Sequence, residues 1–130
     1  MSTVLLDTHV LHWWSAEPDQ VSDAATAVLE SAEELAVSAI SWYELAWLAT
    51  HGRIPVAIPL RSWLDGLARA VRTIGVTPAI AATAARMPSS FPGDPADRLI
   101  YATAIERGCQ LVTKDRRLRD HPFPRPVTVW

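Results

Sequence analysis

A chain of 130 residues, 49% hydrophobic and 20% charged, has material for one hydrophobic core and not two, so residues 1–130 are expected to form a single domain. A net charge of -2 argues against a non-specific nucleic-acid binder held by a global positive field, although Lys114, Arg116, Arg117 and Arg119 gather charge locally. One cysteine, Cys109, excludes a disulfide within the chain and, in practice, a Cys/His zinc site.

The chain opens Met-Ser-Thr-Val-Leu-Leu-Asp, without the basic start and apolar run of a signal peptide, and no stretch has membrane-spanning length. A reducing cytoplasm is the expected compartment. Residues 3–6 are apolar on both parities, as a strand covered on both faces should be, and Asp7 closes them. A helix is expected from Thr8 to about Ser15, and a second, capped by Ser22, to about Glu33. Residues 35–39 read as a second buried strand. Ser41 opens a helix that Gly52 terminates after His51.

Leu60, Trp63, Leu64, Leu67, Ala68 and Val71 recur at helical period, which predicts a helix over 60–73 and a short strand over 74–76. Pro78 begins an alanine-rich helix that stops before Pro88. The loop 87–93 follows, placed either to border a site or to serve as an ordinary connection. A helix over 94–108 carries Pro95 at its first position. Strands over 110–113 and 127–130 complete the pattern. Strands alternating with helices predict an α/β fold in three layers, a mostly parallel central sheet flanked by helices.

In such sheets ligands gather beyond the carboxyl ends of the strands, where Asp7 and Asp115 fall. Glu44 and Asp97 are expected in the first turns of their helices, facing the same rim. Each acid also has an ordinary explanation. Ser41 to Glu44 matches a capping box, Asp94 to Asp97 places acids at N-cap and N3, Asp7 can cap the Thr8 helix, and Asp115 suits a turn. Taken together, acids at two strand ends and two helix starts point to a divalent-ion site. Like charges are rarely gathered without a cation, and oxygen-only donors select Mg²⁺ or Mn²⁺.

Val4-Leu5-Leu6-Asp7-Thr8, Ile40-Ser41-Trp42-Tyr43-Glu44-Leu45, the run from Asp94-Pro95-Ala96-Asp97 through Arg98-Leu99-Ile100-Tyr101-Ala102-Thr103-Ala104, and Leu111-Val112-Thr113-Lys114-Asp115 resemble the ordered motifs of the PIN-domain ribonucleases. The length and the motif-free middle are similar to the VapC-type toxins of bacterial toxin–antitoxin pairs. The resemblance implies that Asp7, Glu44, Asp97 and Asp115 form the acidic quartet, catalytic and metal-binding, with Thr113 as its supporting hydroxyl. Asp94 remains an N-cap on physical grounds.

The resemblance further implies a Mg²⁺- or Mn²⁺-dependent endoribonuclease that cuts a structured RNA, such as a transfer or ribosomal RNA, and is relieved by a VapB-like antitoxin. It also implies a homodimer. Two other readings compete. A phosphoacceptor or phosphohydrolase on a similar sheet needs a second acid close after Asp7, where Thr8 and His9 stand. A non-catalytic interaction module would use the acids only as helix caps.

His9, His12, His51 and His121 form no convincing metal pair, and Ser89 and Ser90 lack a nucleophile elbow. The six tryptophans exceed what a core of this size requires. Trp13 and Trp14 are neighbours about 100° apart on a helix, so exposed aromatic surface is expected. Trp13, Trp14, Trp47 and Trp63 are the candidates for a partner-binding groove.

Overall fold

The computed structural model describes residues 2–121 and 124–130. Among them, five strands form one parallel sheet in the order β3-β2-β1-β4-β5. The strands are β1 (Thr3–Leu6), β2 (Glu34–Ser38), β3 (Arg72–Ile74), β4 (Gln110–Val112) and β5 (Thr128–Val129). β1 is central, flanked by β2 and β4, and its alternate residues feed opposite cores. Leu5 joins Ala36, Ile74 and Leu111 on one face, while Val4 and Leu6 join Val37 and Val112 on the other. That division accounts for the unbroken apolar run: neither face of this strand meets water.

Helices α1 (Thr8–Ala16), α2 (Asp23–Ser31), α3 (Ile40–Thr50) and α4 (Leu60–Ala68) contribute Leu11, Leu29, Leu45 and Leu64 to the second of these cores. Helices α5 (Pro78–Arg86), α6 (Pro95–Arg107) and α7 (Arg116–Arg119) contribute Ile80, Tyr101 and Leu118 to the first. The expected three-layer α/β architecture is therefore present, with a sheet that is parallel throughout. Gly108 ends α6 at φ 64°, and its N–H reaches Ala104 and Ile105 carbonyls, a conformation an L-residue adopts only at a cost.

Three local expectations are corrected. The helix expected over 60–73 ends at Ala68, because Arg72–Ile74 pairs with β2, and Trp42 Nε1 donates to Thr73 Oγ1 at 2.9 Å. The β-branched run near Thr73 and Ile74 thus overrides the helical period. Ser41 does not open α3: Ala39 stands at the cap without a side-chain bond, and Ile40 N–H donates to Ser38 Oγ at 3.3 Å. Ser41 is fully buried and Glu44 lies one turn into the helix. The four-residue α7, absent from the sequence reading, is capped by Asp115.

The loop 87–93 is a surface connection anchored by the buried Met87 and Phe91. Phe91 is buried and meets Tyr101 edge-on at 4.8 Å between ring centroids, and none of these residues lines the acidic pocket described below. The topology prepares that pocket. From β1 the chain moves through β2 to β3, then returns past β1 to β4, so the helices on either side of the β1–β4 boundary diverge and open a crevice at the carboxyl ends of the strands.

Candidate active site

Asp7 is the first residue beyond β1, and its N–H donates to Val112 O at 3.0 Å, which continues the β1–β4 ladder into the site. Its carboxylate is buried, with Oδ1 accepting from Thr8 N–H at 2.8 Å and Oδ2 from Thr113 Oγ1 at 2.7 Å. A helix cap ordinarily engages the second or third amide of the helix. Asp7 reaches only the first, so its second oxygen is held by the neighbouring strand's hydroxyl instead. Burial raises its proton affinity above the ordinary carboxylate range, partly offset by the Thr113 and Thr8 bonds.

Thr113 links two acids. While its hydroxyl donates to Asp7, the same oxygen accepts Asp115 N–H at 3.1 Å. Asp115 caps α7 through Arg117 N–H at 2.9 Å and pairs with the Arg117 guanidinium at 2.8 Å, and these bonds hold its carboxyl below the ordinary range. Glu44 reaches in from α3, where Thr8 Oγ1 donates to its Oε1 and stands 2.9 Å from Ser41 Oγ. Burial raises the Glu44 carboxyl; the Thr8 bond opposes this and the charges of Asp7 and Asp94 add to it.

Asp97 lies in the first turn of α6, cast by Asp94. The Asp94 carboxylate accepts Ala96 N–H at 2.8 Å and Asp97 N–H at 3.2 Å, as an N-cap does. The Asp97 carboxylate takes no part in that cap and accepts from Arg117 Nη2 at 3.3 Å. Burial, then the charges of Asp7, Asp94 and Asp115, push its carboxyl up to about 7 against the pull of Arg117. Capping thus accounts for Asp94 and Asp115, but not for Glu44 or Asp97.

All four acids line one pocket of about 470 Å³, together with Thr8, His9, Val10, Trp13, Asp94, Lys114 and Arg117. Lys114 Nζ sits 5.7 Å from the centroid of the Trp13 ring, which holds its charge at the rim. An apolar groove of about 430 Å³ adjoins it and shares His9, Glu44 and Asp94; Tyr43 and Trp47 line it and are 67% and 40% exposed.

The donors suit a hard divalent cation in kind, being carboxylate and hydroxyl oxygens without sulfur. They also suit it in charge, since three of the four carboxyls are raised in proton affinity and Arg117 already bridges Asp97 and Asp115 as a cation would. Among the described residues no group of three or more His, Cys, Asp or Glu side chains is arranged to hold an ion as it stands. The oxygens are turned instead to Thr8, Thr113 and Arg117.

The family model of the PIN domain matches residues 4–124. The chain belongs to the PIN-domain family. It is 69% identical to Ribonuclease VapC22 of Mycobacterium tuberculosis (strain ATCC 25618 / H37Rv), over 100% of both chains. Its fold is shared with a DNA-bound VapBC from Salmonella typhimurium (TM-score 0.73, 18% identity, 99% of this chain and 98% of that one). It is also shared with VapBC2 from Rickettsia felis bound to a promoter DNA fragment (TM-score 0.71, 18% identity, 98% and 97%).

Sequence reasoning missed the residues that hold the acids in this PIN domain. Thr8, whose hydroxyl also lies 2.9 Å from Ser41 Oγ, orients Glu44, and Arg117 ties Asp97 to Asp115. The signals were faint: Thr8 directly follows Asp7, and Arg117 belongs to the basic cluster after β4. His9, set aside as a ligand, nevertheless lines the pocket.

The division between Asp94 and Asp97 yields a prediction. Asp94→Ala removes a cap with two amide bonds and should cost about 1 kcal/mol of stability, with Mn²⁺ affinity nearly unchanged. Denaturant melts beside calorimetric titration check this. A loss of Mn²⁺ binding as large as that of Asp97→Ala would mean that Asp94 is itself a ligand.

Proposed function

We propose that this PIN domain is a divalent-metal-dependent endoribonuclease, the toxin of a toxin–antitoxin pair, which hydrolyses phosphodiesters of a structured RNA such as a transfer or ribosomal RNA. The observation that carries the reading is the convergence of Asp7, Glu44, Asp97 and Asp115, from four separate segments, on one pocket where burial first, and neighbouring acids after it, raise the proton affinity of Asp7, Glu44 and Asp97. The 69% identity to a protein named a ribonuclease supports the substrate class.

Asp7 and Asp97 are the anchoring ligands, and Glu44 and Asp115 complete the shell or orient water. A bound Mg²⁺ or Mn²⁺ supplies a water of lowered pKa and offsets charge on the phosphate oxygens. Thr113 fixes the Asp7 carboxylate against the strand edge, so one acid is set before substrate arrives. Thr8 engages Glu44 Oε1, which leaves Oε2 to take a proton from the attacking water, a task that its raised proton affinity favours. Lys114 on the rim contributes positive charge toward the RNA backbone.

The partner we assign is a VapB-like antitoxin peptide, as in the VapBC complexes whose fold is shared. Of the candidate tryptophans, Trp14 and Trp63 pack on the core, Trp13 sits between His9 and Trp130, and Trp47 lines the apolar groove beside the pocket. Trp47, with Tyr43, therefore becomes the leading candidate for an interface with the antitoxin or with a second copy in a homodimer. Among the described residues no helix is long and apolar enough to cross a membrane, and a cytoplasmic site of action is part of the proposal.

Antitoxin-free protein incubated with total cellular RNA should produce discrete new ends bearing 5′-phosphates in Mg²⁺ and none in EDTA. Cleavage undiminished by EDTA, or ends formed by attack of the ribose 2′-hydroxyl, would refute the metal-hydrolytic reading.

A further inference from the structure

Arg117 occupies an unusual place for an arginine on a short surface helix. Its Nη2 lies 2.8 Å from Asp115 Oδ2 and 3.3 Å from Asp97 Oδ2, and its Nε lies 3.1 Å from Asp115 Oδ1. One guanidinium thus joins two of the four acids, from α7 and α6, and lines the pocket between them. It neutralises part of the charge that an ion would neutralise, at the oxygens that an ion would take.

Two properties make this bridge exchangeable. The side chain is 65% exposed, so the pairing is screened by solvent and adds little to stability. The planar fork of a guanidinium also fits phosphate as well as it fits carboxylate. A divalent cation at Asp97 and Asp115 competes for the oxygens Arg117 now holds and repels it by charge. The freed donors remain inside the same pocket, close to where the scissile phosphate must approach the acids.

The geometry points to Arg117 as a substrate-binding residue that exchanges partners: it bridges Asp97 and Asp115 in the ion-free protein, and donates to a non-bridging phosphate oxygen of the RNA once an ion holds those carboxylates. This rests on the nuclease reading and adds a coupling to it. Arginine and ion compete, whereas ion and RNA assist one another, and by linkage the assistance is equal in both directions.

Two titrations test the assignment. Calorimetry with Mn²⁺ alone should show Arg117→Ala binding the ion about tenfold more tightly than the unmodified protein, because a nearby positive charge is gone. Binding of total transfer RNA is measured in the Glu44→Gln background, with the RNA recovered intact on a denaturing gel. With Mn²⁺ present, Arg117→Ala should weaken that binding about tenfold and lower the salt slope by about 1; in EDTA its effect should nearly vanish.

Arg117→Lys, which keeps the charge but not the fork, should fall between in both titrations, and Arg117→Gln serves if the alanine variant melts early. Arg116→Ala removes the same charge from an exposed position outside the pocket and sets the baseline. Arg117→Ala indistinguishable from Arg116→Ala, in a protein that binds both Mn²⁺ and RNA, overturns this assignment alone. Failure of the unmodified protein to bind either one overturns the nuclease reading and the assignment together.

Discussion

Asp97→Asn should abolish RNA cleavage, by about 10²-fold or more, while leaving the ion-free protein folded and at least as stable as before. The two halves of this expectation have one cause. Asp97 is held among Asp7, Asp94 and Asp115, and burial with their repulsion pushes its carboxyl up to about 7. Charged Asp97 is therefore a burden on the apo fold and an asset only when a cation is bound. Asparagine keeps the size and removes the charge, so repulsion falls and the site loses an anchoring ligand.

The same shift fixes a pH dependence and its sign. Asp97 in the unfolded chain titrates near 3.8 and in the folded protein near 7, so between these values the native state holds more protons. Stability in EDTA should fall as pH rises from about 4 to about 7 and level off above that. Asp7 and Glu44, also raised, act in the same direction. Asp115, lowered, acts oppositely: the stability it contributes is present above its unfolded value and is lost in acid.

Thermal melts in EDTA at about pH 5 and about pH 8 should show the unmodified protein losing stability at the higher pH and Asp97→Asn losing less. Saturating Mn²⁺ should shrink the difference, because the bound ion stabilises the charged carboxylates. If Asp97→Asn unfolds yet its folded fraction retains full specific activity, Asp97 is a structural residue and the site has been misassigned.

How much of this site was legible in the residues differs from acid to acid. Asp7 stood out because a carboxylate ending a doubly covered apolar strand has few inexpensive explanations, and the strand was found where expected. Glu44 was obscured, since Ser41 three residues earlier imitates a capping box, and only the fold reveals that α3 begins at Ile40 and that Thr8, from α1, holds the carboxylate. That bond spans 36 residues, and no local pattern encodes it. The 72–74 strand was misplaced by two residues because helical periodicity ran through Val71, and pairing with β2 decided the matter. Short α7 was invisible: four residues, three of them arginine, carry no period, although its cap Asp115 had already been singled out. Longer elements with strong caps, such as Pro95–Arg107 between Asp94 and Gly108, were legible nearly to the residue.

Arg98→Ala should destabilise the fold by about 2–4 kcal/mol, although Arg98 touches none of the four acids. Its Nε donates to Pro92 O at 2.9 Å, its Nη1 to Ala84 O and Met87 O at 3.3 and 3.2 Å, and its Nη2 to Pro88 O and Phe91 O, both at 3.2 Å. The loop 87–93 contains Pro88 and Pro92, which have no N–H, and it forms neither helix nor strand, so apart from Pro88 O, which accepts Phe91 N–H at 2.9 Å, its carbonyls turn to a donor outside the loop. A guanidinium supplies that need from a single point, with its carbon 5.8 Å from the centroid of the buried Phe91 ring. Truncation takes this donor from the Met87, Phe91 and Pro92 carbonyls, while Pro88 O keeps Phe91 N–H and Ala84 O keeps Met87 N–H, and it leaves Phe91 tied to α6 through Tyr101 without the guanidinium. Arg98→Lys, with one nitrogen in place of three, should recover less than half of the loss. Because the loop runs directly into Asp94, the cap that aims the first turn of α6, RNA cleavage should weaken as well, through displacement of Asp97 rather than through any contact with substrate. Denaturant melts and amide exchange across residues 87–97 check the account: stability within about 0.5 kcal/mol of the unmodified protein, or faster exchange elsewhere with the loop still protected, would show that the clamp is dispensable.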